Sequence, residues 1–180
     1  MIETSQLRLI PTDLELARAE LVDRRRFERL LGASVPGSWP PESLTDALPV
    51  FLHWLEAAPE ARGWFTWYAL TLSAAPVLVA SAGFKGPPRD GVVEVGYSVL
   101  PEFQGRGYAT EMACGLTRWA LGEPGVTRIV AETEWANPAS VRVLRKAGFV
   151  LVGSTNDLGG ALFELVTSQG PPRPGTPLGG

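Results

Sequence analysis

The stretch from Val92 to Leu121 limits the fold of this chain more than any other. Val92-Val93-Glu94-Val95-Gly96-Tyr97-Ser98-Val99 alternates as a strand, with Glu94, Gly96 and Ser98 on one face and Val93, Val95, Tyr97 and Val99 on the other. Pro101-Glu102-Phe103-Gln104-Gly105-Arg106-Gly107-Tyr108-Ala109 then turns the chain through two glycines. From about Tyr108 to Leu121 the apolar positions Met112, Leu116, Trp119 and Ala120 fall on one face of a helix. A strand that ends in a glycine loop and restarts as a helix presents free backbone N–H groups, and the helix dipole makes that end a site for a diphosphate. Gly107 lets the backbone come close to phosphate oxygens. Two better-known phosphate loops fit poorly. A P-loop ends in Gly-Lys-Ser/Thr where this chain has Gly107-Tyr108-Ala109, and a dinucleotide fingerprint needs a third glycine where Thr110 stands.

The rest of the chain reads as one α/β domain of mixed element order. Leu7 to Ile10 is a short strand, and residues 13–31 carry a helical pattern that divides into two helices. Gly32 to Pro41 is a loop holding Trp39. Ser43 is expected to cap a single helix to about residue 57, with Leu44, Leu48, Phe51, Leu52 and Leu55 as its apolar stripe. Strands are expected over Phe65–Leu72, Pro76–Lys85, Val92–Leu100, Arg128–Glu134, Phe149–Gly153 and Ala161–Val166. Asn137 opens a further helix with Pro138 in its first position, and Gly148 ends it. The domain is expected to span 1–167, followed by a disordered Gly/Pro-rich tail over 168–180.

Composition narrows the function classes. A net charge of −3 provides no basic field for nucleic acid or an anionic membrane surface, and Arg24-Arg25-Arg26 beside Asp23 and Glu28 reads as a solvated helix face. The single cysteine, Cys114, excludes an intrachain disulfide framework, and one His with one Cys cannot assemble the usual zinc site. No apolar run approaches the roughly 20 residues of a membrane helix. The expectation is a cytoplasmic protein with no metal, no nucleic acid and no membrane partner.

Gln104-x-x-Gly107-x-Ala109 after the 92–99 strand resembles the acetyl-CoA motif of the GNAT superfamily of N-acetyltransferases. Asn137-Pro138-Ala139-Ser140-Val141-Arg142-Val143-Leu144-Arg145-Lys146-Ala147-Gly148-Phe149 is similar to that superfamily's other core motif. It looks most like the branch of ribosomal-protein N-terminal (Rim-type) acetyltransferases, as does the opening Leu7-Arg8-Leu9 before a Pro-Thr-Asp turn. The resemblance implies the GNAT fold, a mixed and mostly antiparallel central sheet of six to seven strands flanked by helices.

It also implies roles. Acetyl-CoA would lie in a V-shaped opening between the fourth and fifth strands, Val92–Leu100 and Arg128–Glu134. Its pantetheine arm would pair with backbone groups near Val99 and Leu100, in the manner of β-augmentation. Gln104, Gly105, Arg106, Gly107, Tyr108 and Ala109 would hold the diphosphate, with Arg106 either pairing with phosphate or simply solvated. Asn137 would contact pantetheine, cap its own helix, or both. Glu94 is the expected general base, since an acceptor ammonium must lose a proton before attack; otherwise it orients the acceptor or pairs with a cation. Ser140 is the expected acid toward the leaving thiolate, although a thiol with a pKa near about 8.5 can also leave unaided. Backbone N–H groups of the fourth strand would stabilise the oxyanion.

Glu132 and Glu134 could line the acceptor pocket, and Trp39 and Trp135 are the tryptophans expected nearest to it. Cys114 and His53 carry no expected chemistry, and Glu111 can simply favour the dipole of its helix. The expected activity is acetyl transfer to a primary amine by direct attack in a ternary complex. The acceptor is a protein N-terminus or a small molecule, and a homodimer is among the expected assemblies. The alternative is an acyl-CoA-binding sensor of the same fold without turnover.

Overall fold

In the computed structural model the described residues are 1–155 and 159–166, apart from the side chains of 42 and 43. The expected tail over 168–180 lies outside the described residues.

Among the described residues eight strands form one sheet: β1 Ile2–Glu3, β2 Leu7–Pro11, β3 Thr66–Thr71, β4 Leu78–Phe84, β5 Val92–Val99, β6 Arg128–Glu134, β7 Phe149–Thr155 and β8 Gly160–Leu165. Their order is β1-β2-β3-β4-β5-β6-β8-β7. β5 and β6 run parallel, and the other neighbours pair antiparallel. This is the expected mixed sheet with one strand more than expected. The addition, β1, is two residues long, too short to leave a periodic signature.

The helices are α1 Leu14–Val22, α2 Arg24–Leu31, α3 Glu42–Thr45, α4 Leu48–Ala57, α5 Tyr108–Gly122 and α6 Pro138–Lys146. Local chemistry sets most of their ends. Asp13 accepts from Leu16 N–H at 2.9 Å and Asp23 from Arg26 N–H at 3.0 Å, which divides 13–31 into two capped helices. Gly32 closes α2 in the left-handed region at φ 62°.

The single helix expected from Ser43 to about residue 57 is two. Pro49 falls in the first turn of α4, where its missing N–H and its ring are tolerated; inside a continuous helix both would break the ladder. Pro41, rather than Ser43, precedes the first turn of α3. The remaining strands and helices lie within about two residues of their expected bounds, the usual scatter at element ends.

Helices cover both faces of the sheet. Met112, Leu116 and Ala120 of α5 pack on Ala80, Ala82, Val93 and Val95. On the opposite face Leu16, Phe27, Leu31, Leu44 and Leu48 pack on Tyr68, Leu70 and Leu78. Each such side chain taken fully out of water contributes about 1.5–3 kcal/mol, so the sheet is held by its two helical layers. Glu111 on α5 fixes the amino-terminal segment as well, accepting from the Thr4 hydroxyl and from Gln6 N–H at 2.6 Å. Burial opposes its charge, but hydrogen bonds from Thr4, Gln6 and Ser5 hold its carboxyl below the ordinary value.

Candidate active site

β5 and β6 pair through only three residues each, Val92–Glu94 against Arg128–Val130. From there β6 continues against β8 and β5 against β4, and the two strands part. Their separation opens a V at the carboxyl end of β5, and the 101–107 turn and the start of α5 lie at its mouth. The β4–β5 register runs unbroken from Phe84↔Val95 to Ala80↔Val99. Strand alternation therefore holds, and Glu94, Gly96 and Ser98 share the face away from α5.

A cleft of about 470 Å³ occupies the V. β5 contributes Tyr97, Ser98 and Val99; the turn contributes Gln104, Gly105 and Gly107; α5 contributes Tyr108 and Ala109; α6 contributes Ser140, Arg142 and Lys146. Gly105 and Gly107 adopt φ of 76° and 85°, a region costly for residues with a Cβ. A Cβ built on either would meet nothing within 4 Å, so both glycines border open space. α5 begins without a side-chain cap, so its first N–H groups point into that space with the positive end of the dipole behind them. Such a cradle suits a diphosphate.

Several expected residues meet there. Gln104 Nε2 donates to the Val99 carbonyl at 3.1 Å, bracing the turn against the strand end. Asn137 caps α6 by accepting from Ser140 N–H at 3.0 Å and also lines the cleft. Leu100 and Arg106 stand outside its lining. Leu100 is fully buried and its N–H donates to Val79 at 3.0 Å. The Arg106 guanidinium lies 5.2 Å from the Phe103 ring centroid and donates to the Glu102 carbonyl.

Among the cleft residues without an expected role, three carry chemistry that matters here. Arg142 and Lys146 stand four apart on α6 and bring two cations to its rim. That spacing is visible in the sequence, but a helix-end Arg and Lys look the same when they serve only the dipole. The third, Tyr97, is a matter of tertiary structure. Its hydroxyl crosses the V to within 2.9 Å of Ser140 Oγ and 3.3 Å of the Ser140 carbonyl. Burial raises its pKa, with the Ser140 hydrogen bond partly offsetting that rise, so the phenol keeps its proton at neutral pH.

A second cleft of about 300 Å³ lies beneath α3 and α4 and shares Tyr97 and Ser98 with the first. Its floor is made of small residues, Thr66, Ser81, Gly83, Gly96 and Ser98, beneath Leu44, Ala47 and Phe51. Lys85 stands at its border, with Nζ 2.5 Å from Glu94 Oε1 and 3.9 Å from Glu132 Oε2. The cation paired with Glu94 is thus Lys85, one residue beyond the neighbouring strand. Trp39 belongs to the core: it is 5% exposed, stacks edge-on against Tyr68 and donates to Glu20 Oε1 at 2.7 Å. Trp135 is exposed and lines neither cleft. Cys114 is partly buried within α5, and His53 lies exposed on α4.

Among the described residues no group of three or more His, Cys, Asp or Glu could hold a metal ion, and no helix is long and apolar enough to cross a membrane.

Residues 6–150 match the acetyltransferase (GNAT) domain family. The chain is 31% identical over 152 residues to the N-acetyltransferase YjdG of Bacillus subtilis strain 168, covering 84% of this chain and 90% of that one. A GNAT-family acetyltransferase structure from Bordetella pertussis superposes with a TM-score of 0.64 at 23% identity, covering 92% of this chain and 98% of the other. The microcin C7 self-immunity acetyltransferase MccE, solved in complex with acetyl-CoA and AMP, superposes with a TM-score of 0.61 at 16% identity over 91% and 93% of the two chains. A strand that parts from its parallel neighbour, a glycine cradle at the start of a helix and the family match over most of its length together place this chain in the GNAT family of acetyltransferases, and it is an acyltransferase enzyme.

Proposed function

We propose that the protein transfers an acetyl group from acetyl-CoA to a primary amine, in a ternary complex of both substrates. The observation that carries this is the meeting of two clefts at Tyr97 and Ser98, one shaped for a diphosphate and the other bordered by a carboxylate. GNAT acetyltransferases use acetyl-CoA, and the similar MccE structure holds it. When bound, it supplies an activated acyl thioester.

The residues present suit that group. N–H donors from Gly105 to Ala109 would hold the diphosphate, with Arg142 and Lys146 adding charge at the rim. The edge of β5 that parts from β6 leaves backbone groups near Val99 for the pantetheine arm, and Asn137 can serve it while capping α6. Backbone N–H groups of the same edge would stabilise an oxyanion.

Glu94, 22% exposed at its side chain, receives the proton of the acceptor ammonium, which takes the place of Lys85 beside the carboxylate. Ser140 holds a proton at Oγ for the leaving thiolate, and the Tyr97 hydroxyl fixes the direction of that Oγ. The opening Leu7-Arg8-Leu9 and the segment from Asn137 to Phe149 support placing the chain in the Rim-type branch. The lone Cys114 supports action in the cytoplasm. The exposed apolar residues Val150, Leu151 and Val152 on edge strand β7 support a homodimer.

Calorimetric titration with acetyl-CoA, followed by thiol release on an amine panel, tests the reading. One-to-one binding with amine-dependent release is expected. Absence of acetyl-CoA binding refutes it. In the same assay Glu94→Gln should reduce turnover far more than it weakens acetyl-CoA binding.

A further inference from the structure

The second cleft carries information about the acceptor. Its walls are hydrocarbon: Leu44, Ala47 and Phe51 above and Phe65 at the side, with Trp54 extending the wall at ring-centroid distances of 5.7 Å from Phe51 and 5.5 Å from Phe65. Its floor is kept low by Gly96, where an added Cβ would meet nothing within 4 Å, and by Ser81 and Ser98. At about 300 Å³ it sits at the lower end of small-molecule sites, room for one bulky side chain and an amine.

Charge at the site is sparse. Among the described residues its lining includes no Asp or Glu, and two carboxylates, Glu94 and Glu132, face Lys85 at its border. One of these two negative charges is already balanced by Lys85, leaving one for an incoming cation. An ammonium withdrawn from water needs such a partner, and a polyamine or amino-sugar with three or more ammonium groups needs several. A hydrocarbon wall would instead leave those extra charges desolvated and unpaired, which excludes polycations as effectively as a clash.

We propose that the acceptor is a monocationic primary amine carried on a hydrocarbon body, with its single ammonium exchanged for Lys85 at Glu94 and its aliphatic or aryl part lodged between Phe51 and Gly96. This rests on the acyl-transfer reading above. Lys85, 68% exposed at its side chain and with Nζ also 3.9 Å from Glu132 Oε2, can shift its pairing to Glu132 when the acceptor arrives, leaving Glu94 alone for the incoming ammonium. It then acts as a specificity residue, holding the carboxylate in place while no acceptor is bound.

The test follows acetyl-CoA-dependent thiol release by the full chain with leucinamide and 2-phenylethylamine against spermidine and kanamycin. The two apolar amines are expected to show kcat/KM at least about ten-fold above the polycations, the scale on which a hydrophobic pocket discriminates. Gly96→Val should raise KM for leucinamide by about ten-fold, with acetyl-CoA affinity by calorimetry unchanged. Phe51→Ser, which empties the wall instead of filling the floor, should do the same. Equal or better turnover of spermidine or kanamycin overturns the proposal, as does an unchanged KM in both variants. Retained acetyl-CoA binding with no release on either apolar amine also overturns it and leaves the acyl-transfer reading standing. Failure of the unmodified protein to bind acetyl-CoA overturns both.

Discussion

Glu20 on α1 should make the stability of this protein fall as pH rises through neutrality. Its carboxylate accepts from Tyr68 Oη at 2.5 Å and from Trp39 Nε1 at 2.7 Å, tying α1 to β3 and to the 32–41 loop. Burial is the largest influence on its acidity and outweighs the two hydrogen bonds, raising its pKa from 4.5 to about 7. The folded chain therefore holds a proton that the unfolded chain has released at any pH between those values. Stability from this group is full below 4.5 and is lost as pH rises through about 7. Between pH 5 and pH 8 the loss integrates to about 2.5 kcal/mol, or roughly 5–10 °C in melting temperature for a domain of this size. The carboxyls held below their ordinary value, Glu102, Glu111 and Glu164, lose their stabilising contribution at the acid end, below this window. Chemical denaturation of the unmodified chain and of Glu20→Gln at both pH values reads the effect. The glutamine keeps an acceptor for the indole N–H and can donate to the Tyr68 hydroxyl, but it does not titrate. The variant's stability should be flat where the unmodified chain's declines. Equal slopes in the two proteins would refute the argument.

Three further outcomes are expected. Gly83→Ala places a Cβ 1.8 Å from the Phe65 carbonyl oxygen, a backbone clash that should cost about 3 kcal/mol or more and appear as a lowered thermal midpoint. Gly107→Glu sets a carboxylate among the donors that would hold a diphosphate; it should weaken acetyl-CoA binding at least about 100-fold by calorimetry, while backbone strain of about 1–2 kcal/mol leaves the fold intact by circular dichroism. Tyr97→Phe keeps the ring and removes the hydroxyl that meets Ser140 Oγ; kcat should fall about ten-fold or more while acetyl-CoA affinity stays unchanged, and an unaltered kcat would remove Tyr97 from the proton path.

Local chemistry, read along the chain, determined the strand, the glycine loop and the helix from Val92 to Leu121. Alternation, positive-φ turns and helical spacing are set within a few residues. The caps at Asp13, Asp23 and Asn137 are of the same kind, since each accepts from the N–H three positions ahead. Pro49 was equally legible, and the long apolar stripe of 44–55 masks the break it makes. Other features belong to the tertiary structure alone. The V depends on where β5 stops pairing with β6, after Glu94 and Val130, while each strand goes on pairing with its other neighbour, β4 or β8. Tyr97 reaches Ser140 from 43 residues away, and Lys85 meets Glu94 because two antiparallel strands happen to register there. Trp39 reads as a loop residue in sequence and is buried in the fold, since Glu20 and Tyr68 offer its ring and its N–H a place inside. Sequence periodicity reports which face of an element is apolar; which polar groups then meet across a cleft depends on how distant elements pack, and no spacing along the chain encodes that.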